Sequence, residues 1–392
     1  MIASLPSDWR SATLIGRIQT REGPTPVLLT GGRLRDVSRA APTVSQLLNA
    51  WTGALPPGED LGSPEDLPIA REFDGAAGLH LLSPFDLQCI KASGVTFAVS
   101  AIERVIEERA RGDAARAESL RASLRERVGA DIRAVKPGSG DARRLKDVLI
   151  AEGLWSQYLE VAIGPDAEIF TKAPPLSSVG WGAWIGVRAD SAWNNPEPEI
   201  VLACDRTGRI LGAALGNDVN LRDIEGRSAL LLGKAKDNTA SCAIGPFIRL
   251  FDEQFTLDDV RSAVVRLEIE GEDGFRLEGA STMSEISRDP TELVAQTIGR
   301  NHQYPDGFAL FLGTLFAPIV DRDTPGLGFT HKPGDVVRVQ SDRLGVLENK
   351  VTTCERAPPW TLGIGELMRN LAGRGLLSTP ASFSVPQGTS RE

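Results

Sequence analysis

The chain is poor in several features that mark common functional classes. It has three histidines and four cysteines in 392 residues. Cys89, Cys204, Cys242 and Cys354 are widely scattered, form no CxxC pair and lie among apolar neighbours. They read as free buried thiols in a reducing cytoplasm, not as a disulfide framework. No Lys/Arg-rich segment stands apart and the net charge is −9, which argues against nucleic acid as a partner while leaving small anionic substrates open. Long apolar runs are missing too. The most apolar late stretch, "GFALFLGTLFAPIV", is broken by Gly313 and Pro318 and is too short to span a bilayer, so no membrane partner is expected. The start, "MIASLPSDWR", has no basic segment followed by an apolar one, so it does not read as a secretory signal and a cytoplasmic location is expected. There is no repeat of fixed period and no low-complexity tract.

What is present is ordinary for a globular protein: 41% hydrophobic and 24% charged residues, and enough chain for two or three domains or one large domain with an appendage. Short strands and turns alternate over residues 12–38, and a helix is expected over 43–51. "TGALPPGEDLGSPEDLP" then reads as a surface connection, with a domain boundary between residues 70 and 86. "AIERVIEERARGDAARAESLRASLRERVGADI" has apolar residues at helical spacing among alternating charges, which predicts one or two helices with a solvated charged face. Beyond residue 160 strands dominate. "SAVVRLEIEGEDGFRLEGAS" and "GDVVRVQSDRLGVLENKVTTC" predict hairpins, and between them "RDPTELVAQTIGRN" predicts a helix capped by Asp289 with Pro290 at its first position. The pattern is α+β and β-rich, with a rolled or barrel-like sheet.

The chemistry concentrates in "NNPEPEIVLACD". In a strand, residues i and i+2 share a face, so Glu197 and Glu199 project side by side just before an apolar run. If the turn Asp205 to Gly208 closes a simple hairpin, Glu199 faces Ala214, Glu197 faces Gly216, and Asp218 lies diagonal to Glu197, about 7 to 8 Å away at the backbone. Gly212 and Gly216 would leave room on that strand. Three carboxylates without a nearby His or Cys make an all-oxygen site, suited to Mg²⁺, Mn²⁺ or Ca²⁺ and not to zinc. An acidic pair at a strand start also occurs on solvated sheet faces, so the spacing alone leaves that reading open. Lys234 and Lys236 precede a small-residue apolar run, where a lysine could stabilise an enolate or hold a substrate carboxylate, or could lie on the surface. In "DAEIFTKAP", Glu168, Phe170 and Lys172 share a strand face.

The strings "EIFTKAP", "NNPEPEIVL", "GNDVNLRDIEGR", "KAKDNTASCAIGPF" and "LFLGTLFAP" stand in an order and spacing that resembles the fumarylacetoacetate hydrolase family over residues 85–375. The resemblance implies a mixed β-roll catalytic domain over 85–375, a small N-terminal α/β domain over 1–84 and a flexible tail over 376–392. It implies Glu197, Glu199 and Asp218 as metal ligands, usually for Mg²⁺ with Mn²⁺ as an alternative. It further implies Lys236 as the active-site lysine, Glu168 as a catalytic acid/base of the sugar-acid dehydratase branch, and Thr314 as a substrate contact. Phe97, Ser100 and Lys172 are expected to touch substrate, and assembly as a homodimer or homotetramer is implied. In the first motif of the family an aromatic residue is followed by His and then Glu. Here the aromatic is Phe97, the His position holds Ser100, and Glu103 is kept. Because a His–Glu pair activates water, its loss favours a reaction that releases water. The expected activity is dehydration of 2-keto-3-deoxy-D-xylonate to 2,5-dioxopentanoate in pentose breakdown, with Glu168, Lys236 and Glu103 catalytic. Which of Glu168 and Lys236 is the base is left open. The alternatives are a C–C hydrolase or decarboxylase of an acylpyruvate, and a non-catalytic metal-stabilised module. Residues from Phe97 to about 130 are expected to act as a lid.

Overall fold

The structure, a computed structural model, describes residues 1–75, 77–111, 113–118, 135–315, 320–323 and 327–377. The expected tail beyond residue 377, and residues 112 and 119–130 of the expected lid, lie outside them.

Two large sheets build the chain, and Asn194–Asn195 pairs with Asn220–Leu221 in a third, two-stranded one. The larger has eleven strands, of which ten run in the order Glu59–Gly62, Arg33–Asp36, Gly23–Thr30, Leu14–Thr20, Cys242–Leu250, Ile210–Asp218, Pro198–Cys204, Phe308–Phe311, Cys89–Gly94 and Glu168–Ala173. The eleventh, His80–Leu82, pairs with Leu14–Thr20. Most neighbours are antiparallel, while Phe308–Phe311 runs parallel to Cys89–Gly94. The second sheet has five strands in the order Arg276–Thr282, Val264–Glu270, Val336–Ser341, Gly345–Thr353 and Trp184–Val187. Among the described residues neither sheet closes into a barrel, so the expected rolled sheet is met as a mixed, open one. The expected boundary near residue 84 falls between strands of the larger sheet: Leu14–Thr20 pairs directly with Cys242–Leu250.

The central strands are buried on both faces, which explains their unbroken apolar text. Along Pro198–Cys204, Ile200 and Leu202 enter the main core with Leu267 and Val339 of the second sheet. Val201 and Ala203 enter a second core with Ala214, Ile244, Phe311 and the short helix Val44–Asn49. That helix starts where expected, because the Thr43 side chain accepts from the Gln46 N–H. Asp289 likewise caps Pro290–Thr297, and both predicted hairpins form.

The charged stretch after residue 97 departs from expectation. Helix Ala98–Ala110 packs with Gly140–Ala151 and Gln157–Ile163 around Ile102, Val105, Ile106, Leu149 and Leu159. Its face is not simply solvated: Glu103 and Glu107 are each 2% exposed. Of the cysteines, Cys204 and Cys242 are buried, whereas Cys89 and Cys354 are half-buried, and all four are free thiols. No described helix is long and apolar enough to cross a membrane.

Candidate metal centre and active-site cavity

The acids converge, but by a different register from that of a simple hairpin. A bulge between Ala203 and Cys204 shifts the pairing, so Glu199 lies opposite Gly216 and Pro198 opposite Asn217. The Asp218 N–H donates to the Glu197 carbonyl at 3.0 Å, which brings Asp218 directly across from Glu197. Glycine at 216 does not leave room for a ligand. A Cβ there would meet the Phe311 ring at 2.3 Å and Val201 at 2.6 Å, so the missing side chain serves core packing on the strand.

Glu197, Glu199 and Asp218 are all buried, and one carboxylate oxygen from each lies within 4.8 Å of the others. Asp218 Oδ1 is 2.9 Å from Lys172 Nζ, and Asp218 Oδ2 accepts from Lys236 Nζ at 3.0 Å. Lys236 Nζ also donates to Glu197 Oε2, while Glu197 Oε1 accepts from Arg104 at 2.6 Å. Glu199 Oε2 accepts the Gly313 N–H at 2.6 Å; Gly313 has φ +89, a conformation that favours glycine.

Burial works against every charge here, and the partners decide which survive. For Asp218 burial pushes the pKa up, but Lys172 and Lys236 outweigh it and hold the carboxyl below its ordinary value. For Lys236 burial is again opposed and outweighed, by Asp218, Glu197 and Glu225, which keep the ammonium protonated. Glu199 goes the other way: burial, then the Asp218 and Glu197 carboxylates, push it well above the ordinary range. The cluster is therefore short of positive charge at Glu199. A set of clustered carboxylate oxygens with that deficit, and no nitrogen or sulfur donor among them, fits a hard divalent cation.

The triad forms one wall of a cavity of ≈ 550 Å³. Strand Glu168–Ala173 supplies Glu168 and Phe170. Glu168 lies across from Gly94, where a Cβ would meet its Oε2 at 2.1 Å, so glycine gives the carboxyl its place. Burial and then the Glu225 carboxylate push Glu168 up to about 7. Helix Ala98–Ala110 adds Ser100, Glu103, Arg104 and Glu107, and the short helix Arg222–Glu225 adds Arg222 and Glu225. Arg104 ties these elements together: it is 2.6 Å from Glu107, 2.7 Å from Glu225 and 2.6 Å from Glu197. Arg222 donates to Glu107 at 2.6 Å, lies 3.6 Å from Glu103, and stacks over Trp193 at 4.3 Å.

Most of the residues singled out from the sequence meet in this cavity: Glu103, Glu168, Glu197, Glu199, Asp218, Lys236, Ser100 and Thr314 all line it. Two do not. Lys172 is fully buried behind Asp218, bonded to the Val219 carbonyl at 3.2 Å and to Ser241 Oγ at 3.3 Å. It pairs with the Asp218 carboxylate and is not among the residues that face the cavity. Phe97 is fully buried in the main core, and its backbone, not its ring, serves the site: the Ser100 hydroxyl donates to the Phe97 carbonyl at 2.8 Å. Lys234 is on the surface, 3.5 Å from Asp190. Sequence reasoning missed Arg104, Glu107, Arg222 and Glu225. The available signal was weak, an Arg104–Glu107 pair at i, i+3 spacing, because their other partners are distant in sequence.

Residues 177–352, under half of the chain, match the family model for the fumarylacetoacetate (FAA) hydrolase C-terminal domain. Among curated proteins, the chain is similar to 2-dehydro-3-deoxy-D-arabinonate dehydratase of Saccharolobus solfataricus, 36% identical over 180 residues, 46% of this chain and 57% of that protein. It is also similar to a Haloferax volcanii protein named "Probable 2-keto-3-deoxyxylonate dehydratase", 34% identical over 196 residues, 50% of this chain and 64% of that protein. The matched segments thus span about three fifths of these relatives. Among solved structures, "2-keto-3-deoxy-D-arabinonate dehydratase complexed with magnesium and 2,5-dioxopentanoate" shares the fold, with TM-score 0.60 and 23% identity over 87% of this chain and 99% of that one. A fumarylacetoacetate hydrolase from Exiguobacterium antarcticum shares it at TM-score 0.52 and 15% identity, over 87% of this chain and 100% of that one.

Proposed function

We propose that the chain is a Mg²⁺-dependent hydro-lyase that converts a 2-keto-3-deoxypentonate, 2-keto-3-deoxy-D-xylonate in the first instance, to 2,5-dioxopentanoate. The observation that carries this is the pairing, in one cavity, of a buried three-carboxylate cluster with Glu168, whose pKa is raised to about 7. The names of the curated relatives support the substrate class. Serine at position 100 supports loss of water over attack by water, because no histidine is among the described residues that line the cavity.

Glu197, Glu199 and Asp218 would hold the metal ion, which when bound supplies Lewis-acid stabilisation of the negative charge that develops on a 2-keto acid. Lys236, kept protonated by its acid neighbours, suits stabilisation of that same charge and does not suit the role of base. The base role therefore falls to Glu168. A carboxyl poised near neutrality can remove a proton from carbon 3 and return it to the hydroxyl leaving carbon 4; the 5-hydroxy-2-oxopent-3-enoate so formed reaches the aldehyde by loss of protons from carbon 5 and its hydroxyl and protonation at carbons 3 and 4. Arg104 holds Glu197 from the helix side and Lys172 holds Asp218 from behind, so the ligand carboxylates are oriented by groups that need not move. Glu103, buried beside Arg222, and Thr314 complete the wall around the substrate.

The test is product analysis by NMR with purified protein, Mg²⁺ and 2-keto-3-deoxy-D-xylonate. The proposal expects 2,5-dioxopentanoate and, in deuterium oxide, label at carbon 3. Release of pyruvate from this acid or from an acylpyruvate, with no dioxopentanoate, would replace it with the hydrolase reading.

A further inference from the structure

Beside the triad lies a group of carboxamides that the proposed chemistry does not use. Asn195 is two residues before Glu197, lines the same cavity and is 2% exposed. Its Nδ2 donates to the carbonyl of Pro196 at 2.8 Å, which orients the amide and leaves Oδ1 as an acceptor with no partner. Directly across the two-residue pairing stands Asn220, fully buried, with neither amide atom partnered. Side chains opposite each other in an antiparallel pair are neighbours. Asn217 adds an unpartnered Nδ2, its Oδ1 being occupied by the Glu197 N–H at 3.1 Å. Of the three, Asn195 lines the cavity, and because buried polar atoms are nearly always partnered, its free acceptor at the wall marks a place for a ligand's polar group.

We propose that the carboxamide oxygen of Asn195 accepts a hydrogen bond from the terminal hydroxyl of the substrate, so that the site selects a keto acid hydroxylated at carbon 5. This inference rests on the hydroxylated-acid reading above. A neutral acceptor beside three carboxylates suits a donor such as a hydroxyl and offers nothing to a second carboxylate. The hydroxyl at carbon 4 is the wrong donor. Accepting its hydrogen bond would raise electron density on the oxygen that must leave. The carbon 5 hydroxyl carries no such conflict. A site built to bond a substrate hydroxyl discriminates strongly against an analogue without it, because its own polar group is then left unpaired.

The experiment compares 2-keto-3-deoxypentonate with 4-hydroxy-2-oxopentanoate, which keeps the carbon 4 hydroxyl and lacks the one at carbon 5. Full-length protein loaded with Mg²⁺ is used, reading the dissociation constant by calorimetry or, where turnover occurs, KM. The wild type should prefer the first acid by about tenfold or more, the scale of one buried hydrogen bond. In Asn195→Ala that preference should collapse to within about twofold through weaker binding of the first acid alone. A preference that survives in the variant, or equal binding of both acids by the wild type, would overturn the assignment. The wild-type comparison needs no variant, so a misfolded Asn195→Ala protein leaves that arm decisive. Should neither acid be dehydrated while the preference appears in the wild type and vanishes in the variant, the Asn195 assignment stands and the dehydratase reading falls.

Discussion

The second sheet and the centre of the first place their charges in opposite ways. In strand Val264–Glu270, Val265, Leu267 and Ile269 are buried while Arg266, Glu268 and Glu270 face outward, the ordinary alternation of a half-solvated strand. The outward acids are met by surface arginines, with Arg338 2.7 Å from Glu270. Strand Pro198–Cys204 is buried on both sides, yet two acids lie at and just before its start, and Asp218 ends its partner strand. Surface ion pairs on a half-solvated strand contribute little. Charges drawn into a strand with no wet face persist only where the surroundings are built around them, and here those surroundings are Lys172, Lys236, Arg104 and the Gly313 N–H.

That contrast can be broken by substitution, beginning with the largest effect. Glu199→Gln keeps shape and burial, and Glu199 already tends to hold a proton, so thermal stability of the metal-free protein should change little while turnover falls by about 10³-fold, as for loss of a key electrostatic group. Melting curves and Mg²⁺-supported rates, measured together, check this; a loss of both in parallel would make the acid structural. Next, Glu168→Gln should slow turnover by about 10²-fold or more, the scale of a lost general acid–base group. Retention of near-normal rates would return the base role to Lys236.

Linkage makes a smaller prediction about the same residue. A Glu168 pKa of about 7 lies above the ordinary carboxyl value, so between roughly pH 4.5 and 7 the folded state binds more protons than the unfolded one. Its contribution to stability therefore falls as pH rises across that window and is level above it. In metal-free protein, the melting temperature of Glu168→Gln minus that of wild type should grow from pH 5 to pH 8. A constant difference would contradict the raised pKa. The smallest effect belongs to the second sheet, where Glu270→Gln should shift stability by less than about 1 kcal/mol and leave turnover alone.

The same contrast explains what could be read in advance. Alternation made the two hairpins of the second sheet legible to within a residue or two, because their pattern is set by water on one side. The acid triad was legible as residue types: Glu197 and Glu199 at i, i+2 and Asp218 on the next strand. Its register was not, because the bulge at Ala203 is imposed by pairing and leaves no residue signature. Lys172 shares a strand with Glu168, yet only the three-dimensional position of Asp218 decides that one reaches the cavity and the other stands behind that carboxylate. Helix Ala98–Ala110 misled most. Glu107 looks like part of a solvated face until Arg222, more than a hundred residues away, is brought against it.

The most direct measurement of the central claim, that the buried acids form a metal site, is a titration of Mn²⁺ into metal-free protein followed by electron paramagnetic resonance. The account predicts one site per chain, competed by Mg²⁺, retained in Glu270→Gln and weakened by at least tenfold in Glu199→Gln. Equal Mn²⁺ binding by wild type and Glu199→Gln, or no binding by either, would contradict it.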